Sequence, residues 1–333
     1  MATVKWGIVG CGDIAQKAVA PVMTQDVHST ITAFCSHDLQ RARELADMFG
    51  ADAAYDNYEQ MLADDRVEAI YVASPVHRHC TETVQACRAQ KHVLCEKPMA
   101  LTTDECRQMI EAAHEGDVHL EIAYCRRFWS KTQKMKELIS DGAIGRPLSA
   151  RLRVGRLYNP APDDYKHWRV EMDKAGGGSM QDVGSHRLDV MCYLLGAPVR
   201  AAGLFDTFVM GYEVPDTETL MCQFEGGTHL VAEANWCIDR MYDEFEVRGS
   251  RGTLLATPFD GPTLRLDTYD GIEEFEVPEP GGYRHRPLIE EFTDAVSEGR
   301  TPAYSGYDGM LTTAIIDSAM ESCESDQWVD IDV

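Results

Sequence analysis

Through the first 125 or so residues, short apolar runs alternate with stretches whose apolar positions recur every three or four residues. Val4–Val9 is an apolar run that stops at Gly10-Cys11-Gly12, and residues 14–23 follow as a helix. Ile31-Thr32-Ala33-Phe34-Cys35 reads as a second strand, and 39–49 as a helix with Leu39, Ala42, Ala46 and Phe49 on one face. Ala69-Ile70-Tyr71-Val72-Ala73 is a strand closed by Ser74-Pro75; a helix over 79–90 and a strand at His92-Val93-Leu94-Cys95 come next. Thr102-Thr103-Asp104-Glu105 is a capping box that opens another helix, and 119–124 is a further strand. This order predicts a parallel sheet covered on both faces.

After Arg127 the pattern changes. Helices are expected at 129–141, ending at Gly142, and at 181–195, ending at Gly196-Ala197-Pro198. Alternating strand candidates occupy 148–156, 200–209, 218–225, 228–237, 244–249, 253–257, 263–269 and 272–277, with turns such as Gly226-Gly227 and Asp270-Gly271 between them. Helices at 287–298 and 306–323 complete the pattern. The expected fold class is α/β followed by α+β. A Rossmann-type parallel sheet over residues 1–125 precedes a domain over 126–333 built on a largely antiparallel, open-faced sheet.

Composition narrows the function. The 333 residues are 44% hydrophobic and 26% charged, as in ordinary globular proteins, and two domains suit that length. No apolar run approaches the roughly 18 residues needed to cross a bilayer. The first residues lack the pattern of a signal peptide, so a cytoplasmic location is expected. With 55 acids against 31 bases the formal charge is -24, which disfavours binding to nucleic acid or an anionic membrane surface. No lysine follows Lys174. Salt adaptation and simple lineage bias both account for such a composition. Eleven cysteines without a Cys-x-x-Cys pair or zinc spacing read as reduced thiols, with no metal implied.

Three motifs carry the chemistry. Gly10-Cys11-Gly12-Asp13-Ile14-Ala15 fits G-x-G-x-x-A between a strand and a helix. Gly10 suits the tight turn, Gly12 lets backbone approach a pyrophosphate, and Ala15 lets the helix pack on the strand. At the end of the second strand, where NAD enzymes carry an acid, stand Ser36 and His37, with Arg41 and Arg43 in the next helix. That set suits a ribose 2′-phosphate and favours NADP, while Asp38 keeps NAD open.

Glu96-Lys97-Pro98 follows a parallel strand at its carboxyl end, the edge where such sheets bind ligands. A lysine there can stabilise a substrate hydroxyl losing its proton, and the proline can fix the turn that aims it. A surface lysine beside a turn is the plain alternative. In Gly176-Gly177-Gly178-Ser179 and the helix after it, Asp182 and His186 stand at i and i+4, with Asp189 a turn further on. An imidazole beside a carboxylate makes a general base near neutral pH, although such pairs also occur as purely structural ones.

Together these stretches resemble the Gfo/Idh/MocA oxidoreductases. The resemblance adds Ser74-Pro75 with His79, Arg127-Phe128, Trp168-Arg169 before the glycines, and Pro287-Leu288-Ile289-Glu290-Glu291-Phe292. It implies a nicotinamide cofactor on the first domain and a sugar or polyol against the second. By resemblance Lys97, Asp182 and His186 are catalytic, Ser74, Pro75, His79 and Glu96 line the nicotinamide end, and Trp168 and Arg169 lie near the substrate. Val76 departs from the family pattern, where Asn commonly follows the proline.

The expected activity is hydride transfer between a secondary hydroxyl of a sugar or polyol and NADP, or alternatively NAD. His186 acts as base, Asp182 holds the imidazole or a neighbouring hydroxyl, and Lys97 steadies the alkoxide. Tyr124, Arg126, Tyr158, Tyr165, His167, Tyr283 and His285 are candidate sugar contacts. Two rivals are glycoside cleavage through transient oxidation with retained cofactor, and a non-catalytic nucleotide-binding regulator. An open sheet face and the resemblance both point to a homo-oligomer, a dimer or tetramer.

Overall fold

The structure, a computed structural model, describes residues 3–278 and 281–333. The chain divides into two compact units, Met1–Cys125 with Gly282–Met310, and Arg126–Gly281 with Leu311–Val333.

In the first unit β1 (Val4–Val9) leads through a π-wound turn at Ala15–Val19 into α1 (Ala20–Met23), then β2 (Ser29–Cys35) and α2 (Leu39–Phe49). There follow β3 (Ala53–Tyr55), α3 (Tyr58–Leu62), β4 (Ala69–Val72), α4 (His79–Arg88), β5 (His92–Cys95), α5 (Thr103–Glu115) and β6 (Leu120–Ile122). The sheet order is β3-β2-β1-β4-β5-β6 and every pairing is parallel. The order reverses between β1 and β4, which opens a crevice at the carboxyl ends of those strands. Val9 pairs with Val72, and Val72 with Cys95, so the segments starting at Gly10, Ala73 and Glu96 leave the sheet at one level.

Burial explains why these runs are strands. All of β4 and most of β1, β2 and β5 are buried, as in a sheet covered on both faces. Thr102 caps α5 by accepting the Glu105 N–H, and the Glu105 carboxylate returns to the N–H of Leu101, one residue before the usual partner. β3 and α3 are short and weakly patterned, and escape a reading by periodicity.

In the second unit α6 (Ser130–Ser140) precedes β7 (Pro147–Leu157), and α7 (Met172–Ala175) precedes a second π-wound turn, Met180–Gly184, that runs into α8 (Ser185–Leu195). β8 (Pro198–Asp206), β9 (Thr217–Phe224) and β10 (His229–Asn235) form one antiparallel run, and β11 (Cys237–Gly249), β12 (Gly252–Ala256), β13 (Thr263–Thr268) and β14 (Gly271–Glu276) another, with β7 between them. Two helices, α9 (Arg286–Glu298) and α10 (Gly306–Ser325), and a short β15 (Val329–Asp330) complete the elements. The sheet runs β14-β13-β12-β11-β7-β10-β9-β8-β15, antiparallel throughout except for β7 beside β10. β11 starts at Cys237, seven residues earlier than its alternation suggests, with a register shift before Tyr242.

One face of this sheet, through Leu152, Val154, Leu220, Phe224, Ala232 and Val247, packs with Met135 of α6, Leu188 and Met191 of α8, and Ile315 of α10. The opposite face carries cross-strand ion pairs, Arg153 to Glu233 at 2.8 Å and to Glu244 at 3.2 Å. α9 belongs to the first unit, where Phe292 lies 5.7 Å from the ring of Trp6 on β1. No described helix is long and apolar enough to cross a membrane. All eleven cysteines are free thiols, and the described residues contain no cluster suited to a metal ion.

Candidate active site

The first unit builds a dinucleotide cradle. Gly10 has φ of +92°, and a Cβ there would lie 2.5 Å from the backbone of Ala73 and Ser74, so only glycine lets β1 and β4 leave the sheet side by side. A Cβ on Gly12 meets nothing within 4 Å, which leaves its backbone open to a phosphate. Asp13 pairs with Lys17 at 2.9 Å, Ile14 precedes the π-wound turn, and Ala15 is fully buried against the sheet. Burial pushes the Cys11 thiol up to about 12, the Arg41 charge opposing it, so this cysteine acts as apolar filling.

Beside this turn, the Ser36 hydroxyl accepts the Asp38 N–H at 3.2 Å, and the Asp38 carboxylate caps α2 by accepting the N–H groups of Gln40 and Arg41. The Arg41 guanidinium reaches back to the Cys11 carbonyl at 3.2 Å and to the Gln16 amide at 2.7 Å. His37 is exposed next to them. These groups stand at the end of β2 and the start of α2, where the sequence places the ribose end of a dinucleotide.

At the ends of β4 and β5 a buried frame supports Lys97. Glu96 is 7% exposed; its Oε1 accepts the Tyr71 hydroxyl at 2.7 Å and faces His285 Nε2 at 3.3 Å, and its Oε2 accepts the Lys97 N–H at 3.1 Å. Burial alone would raise the Glu96 pKa; His285, Tyr71 and the Lys97 charge outweigh it and hold the group below its ordinary value. The Lys97–Pro98 peptide is cis. His79 is 1% exposed and bridges two carbonyls, Ser74 at 2.8 Å and Pro98 at 2.9 Å. Both ring nitrogens are thus engaged in tying the β4 loop to the Lys97 turn, where the sequence suggested a residue lining the cofactor. Ser74 donates to Glu82, which also takes Arg78 at 2.7 Å.

The second unit carries the other half of the predicted set. Asp182 lies in the π-wound turn and His186 just after it in α8. Asp182 forms ion pairs with Arg169 at 3.3 Å and Arg156 at 3.6 Å. The Arg169 guanidinium lies over the Trp168 ring and that of Arg156 over Tyr158, at 5.5 and 5.3 Å from the centroids. Periodicity placed Asp182 with His186; the fold also brings the arginines, one from β7 and one from the short helix His167–Val170. Of the candidate sugar contacts, Arg126 spends its fork on Asp260, at 2.9 and 2.6 Å, and is 7% exposed, so it works as a structural clamp. Tyr124 is buried in the first unit, and His285 holds Glu96 there.

Behind Asp182 and His186 lies a buried ionic layer. Asp189, fully buried on α8, takes the Arg127 guanidinium at 2.7 to 3.0 Å. Arg187, also on α8, pairs with Asp243 at 2.7 Å and approaches Asp260 at 3.8 Å. Sequence reasoning missed Glu218 altogether. Its signal was available: Glu218, Leu220, Cys222 and Phe224 occupy one face of β9, and all are buried, so a carboxylate stands in a core register.

Comparison with known proteins bears on the fold of both units. A family model described as "Oxidoreductase family, NAD-binding Rossmann fold" matches residues 4–124, and one described as "GFO/IDH/MocA C-terminal domain" matches 132–255. The chain is 30% identical to D-xylose 1-dehydrogenase (NADP(+)) 2 of Haloferax volcanii, over 98% of this chain and 99% of that one. It is 28% identical to 1,5-anhydro-D-fructose reductase of Ensifer adhaerens, over 98% of each. A levoglucosan dehydrogenase solved with NADH superposes with a TM-score of 0.89, at 23% identity over 99% of each chain, a likeness of fold.

Proposed function

Because the chain belongs to the Gfo/Idh/MocA oxidoreductases, a family of NAD(P)-dependent enzymes acting on sugars and polyols, we propose that it transfers a hydride between a secondary hydroxyl of a sugar and NADP. The observation that carries this reading is the Lys97 turn, framed by buried Glu96 and leaving the sheet level with the glycine cradle. Gly10, Gly12 and the following turn would hold the pyrophosphate, and Ser36, His37 and Arg41 the phosphorylated ribose. When bound, the nicotinamide supplies the acceptor for the hydride.

The protein's own part is orientation and proton handling. His186 takes the hydroxyl proton as the carbon is oxidised. Lys97 donates to the oxygen and steadies the alkoxide, with its backbone fixed by Glu96. Asp182, balanced between Arg156 and Arg169, orients the imidazole or a neighbouring hydroxyl. In the reverse direction the same groups return the proton. Trp168 and Tyr158 offer apolar ring faces of the kind that pack against sugar C–H groups.

A panel of aldoses and polyols assayed with NADP and with NAD tests the reading: turnover of at least one sugar is expected, with higher kcat/KM for NADP. No turnover with either cofactor would refute it. The cofactor preference has a sharper test. Arg41→Ala removes the guanidinium anchored at the glycine turn, and KM for NADP is expected to rise about 10- to 100-fold, the worth of a charge-assisted contact, with KM for NAD nearly unchanged. Equal changes for the two cofactors would remove Arg41 from 2′-phosphate recognition.

A further inference from the structure

We propose that Glu218 is a positioning residue for the reaction: its carboxylate clamps the Gly178-Ser179-Met180 turn and thereby sets where Asp182 and His186 stand. The inference rests on the functional reading above and adds to it a residue outside the motifs already described.

Glu218 begins the core face of β9 and is 1% exposed. A carboxylate in such a register is costly unless its oxygens are satisfied. Here the partners are all at the start of the functional helix. Glu218 Oε2 accepts the Ser179 hydroxyl and the Met180 N–H, the latter at 2.7 Å. Burial pushes the Glu218 pKa up to about 7, opposed first by the Ser179 hydroxyl and then by the neighbouring backbone N–H groups of Met180, Ser179 and Gly178. The helix begins with a π-wound turn, Met180–Gly184, without a side-chain cap from Ser179. Glu218 supplies the missing acceptor from another element, 39 residues from Ser179.

The third glycine of the triplet follows from the same packing. A Cβ on Gly178 would run into the Pro215 carbonyl and lie 3.2 Å from Glu218 Oε2. The residues just before Glu218 are themselves pinned. Asp216, fully buried, accepts the N–H groups of Phe208, Val209 and Met210 at 2.6 to 3.1 Å. The clamp is therefore mounted on a fixed support. Asp182 is two residues beyond Met180, and His186 one helical turn further, so a released turn displaces both. A fixed loop of this kind has no packing need for an acid; leucine would continue the pattern of Leu220 and Phe224. Its retention in the core is explained by what it holds.

The test compares Glu218→Ala with Glu218→Gln, which keeps an acceptor oxygen in place. In Glu218→Ala, kcat is expected to fall about 10- to 100-fold, the scale of a small displacement of reacting groups, with KM for NADP unchanged. Glu218→Gln restores most of it. Amide hydrogen exchange, measured without substrate, is expected to quicken about tenfold or more over 179–184 in Glu218→Ala, through loss of the bonds from Ser179 and Met180, and to stay unchanged in α6. Wild-type kcat in folded Glu218→Ala, or an increase in exchange shared by α6, overturns the proposal. If Glu218→Ala does not fold, Ser179→Ala removes one arm of the clamp, and wild-type kcat with wild-type exchange over 179–184 overturns it instead. Failure of the wild-type enzyme to oxidise any sugar would instead count against the functional reading, and the exchange experiment would still decide the clamp.

Discussion

Replacing His186 by alanine is expected to lower kcat for the sugar about 10²- to 10⁴-fold, the usual contribution of a positioned general base, while leaving KM for the dinucleotide close to wild type. The residues proposed to hold the dinucleotide, Gly10, Gly12, Ser36 and Arg41, belong to the first unit, and His186 lies in the second. Lys97→Ala is expected to cost about 10²- to 10³-fold, as for removal of an oxyanion donor. Because both groups are assigned to one proton transfer, the double variant falls well short of the product of the single losses. Steady-state and single-turnover kinetics with the best sugar of the panel provide the check. Turnover within threefold of wild type in both single variants, an order-of-magnitude margin against the losses above, would withdraw these roles.

The largest expected effect on stability lies one turn further along α8. Asp189→Ala is expected to destabilise the protein by about 3–5 kcal/mol, because it removes the carboxylate that pairs with the buried Arg127 guanidinium. The two side chains are 0% and 3% exposed and meet through two guanidinium nitrogens, so solvent does not screen the pair. A pair of this kind adds little over apolar packing yet is costly to break from one side. Arg127→Met with Asp189→Leu is accordingly expected to recover most of the loss. Urea unfolding of the three forms measures it. A single variant within about 1 kcal/mol of wild type, the range of exposed pairs, would show that Arg127 finds another counter-charge.

The arrangement also separates two kinds of support for Asp182 and His186. The ionic layer of Arg127, Asp189, Arg187 and Asp243 holds the far side of α8 to its own unit, and its loss reads out as stability. Glu218 holds the near end, where the chain is still π-wound and rich in glycine, and its loss reads out as rate. Both supports are ionisable groups placed in a core, and for neither does spacing along the chain reveal the partner.

What the sequence determined by itself was the strongly patterned local structure. Strand alternation in β9 and β10, the helical period of α2, the Thr102 cap and the strand–glycine–helix turn at Gly10 each follow from neighbours within a few residues, whose geometry is set by the backbone alone. The order of these elements also carried the two sheet types. Only the tertiary structure decided the partners. That Glu218 reaches Met180, that Arg156 joins Asp182, that His285 faces Glu96, and that Gly282–Met310 groups with the first unit all depend on which strands pair and in what register. The π-wound turns at Ala15–Val19 and Met180–Gly184 have no period of their own to read. Local chemistry can specify an element, but a buried charge finds its counterpart only when packing brings distant segments together.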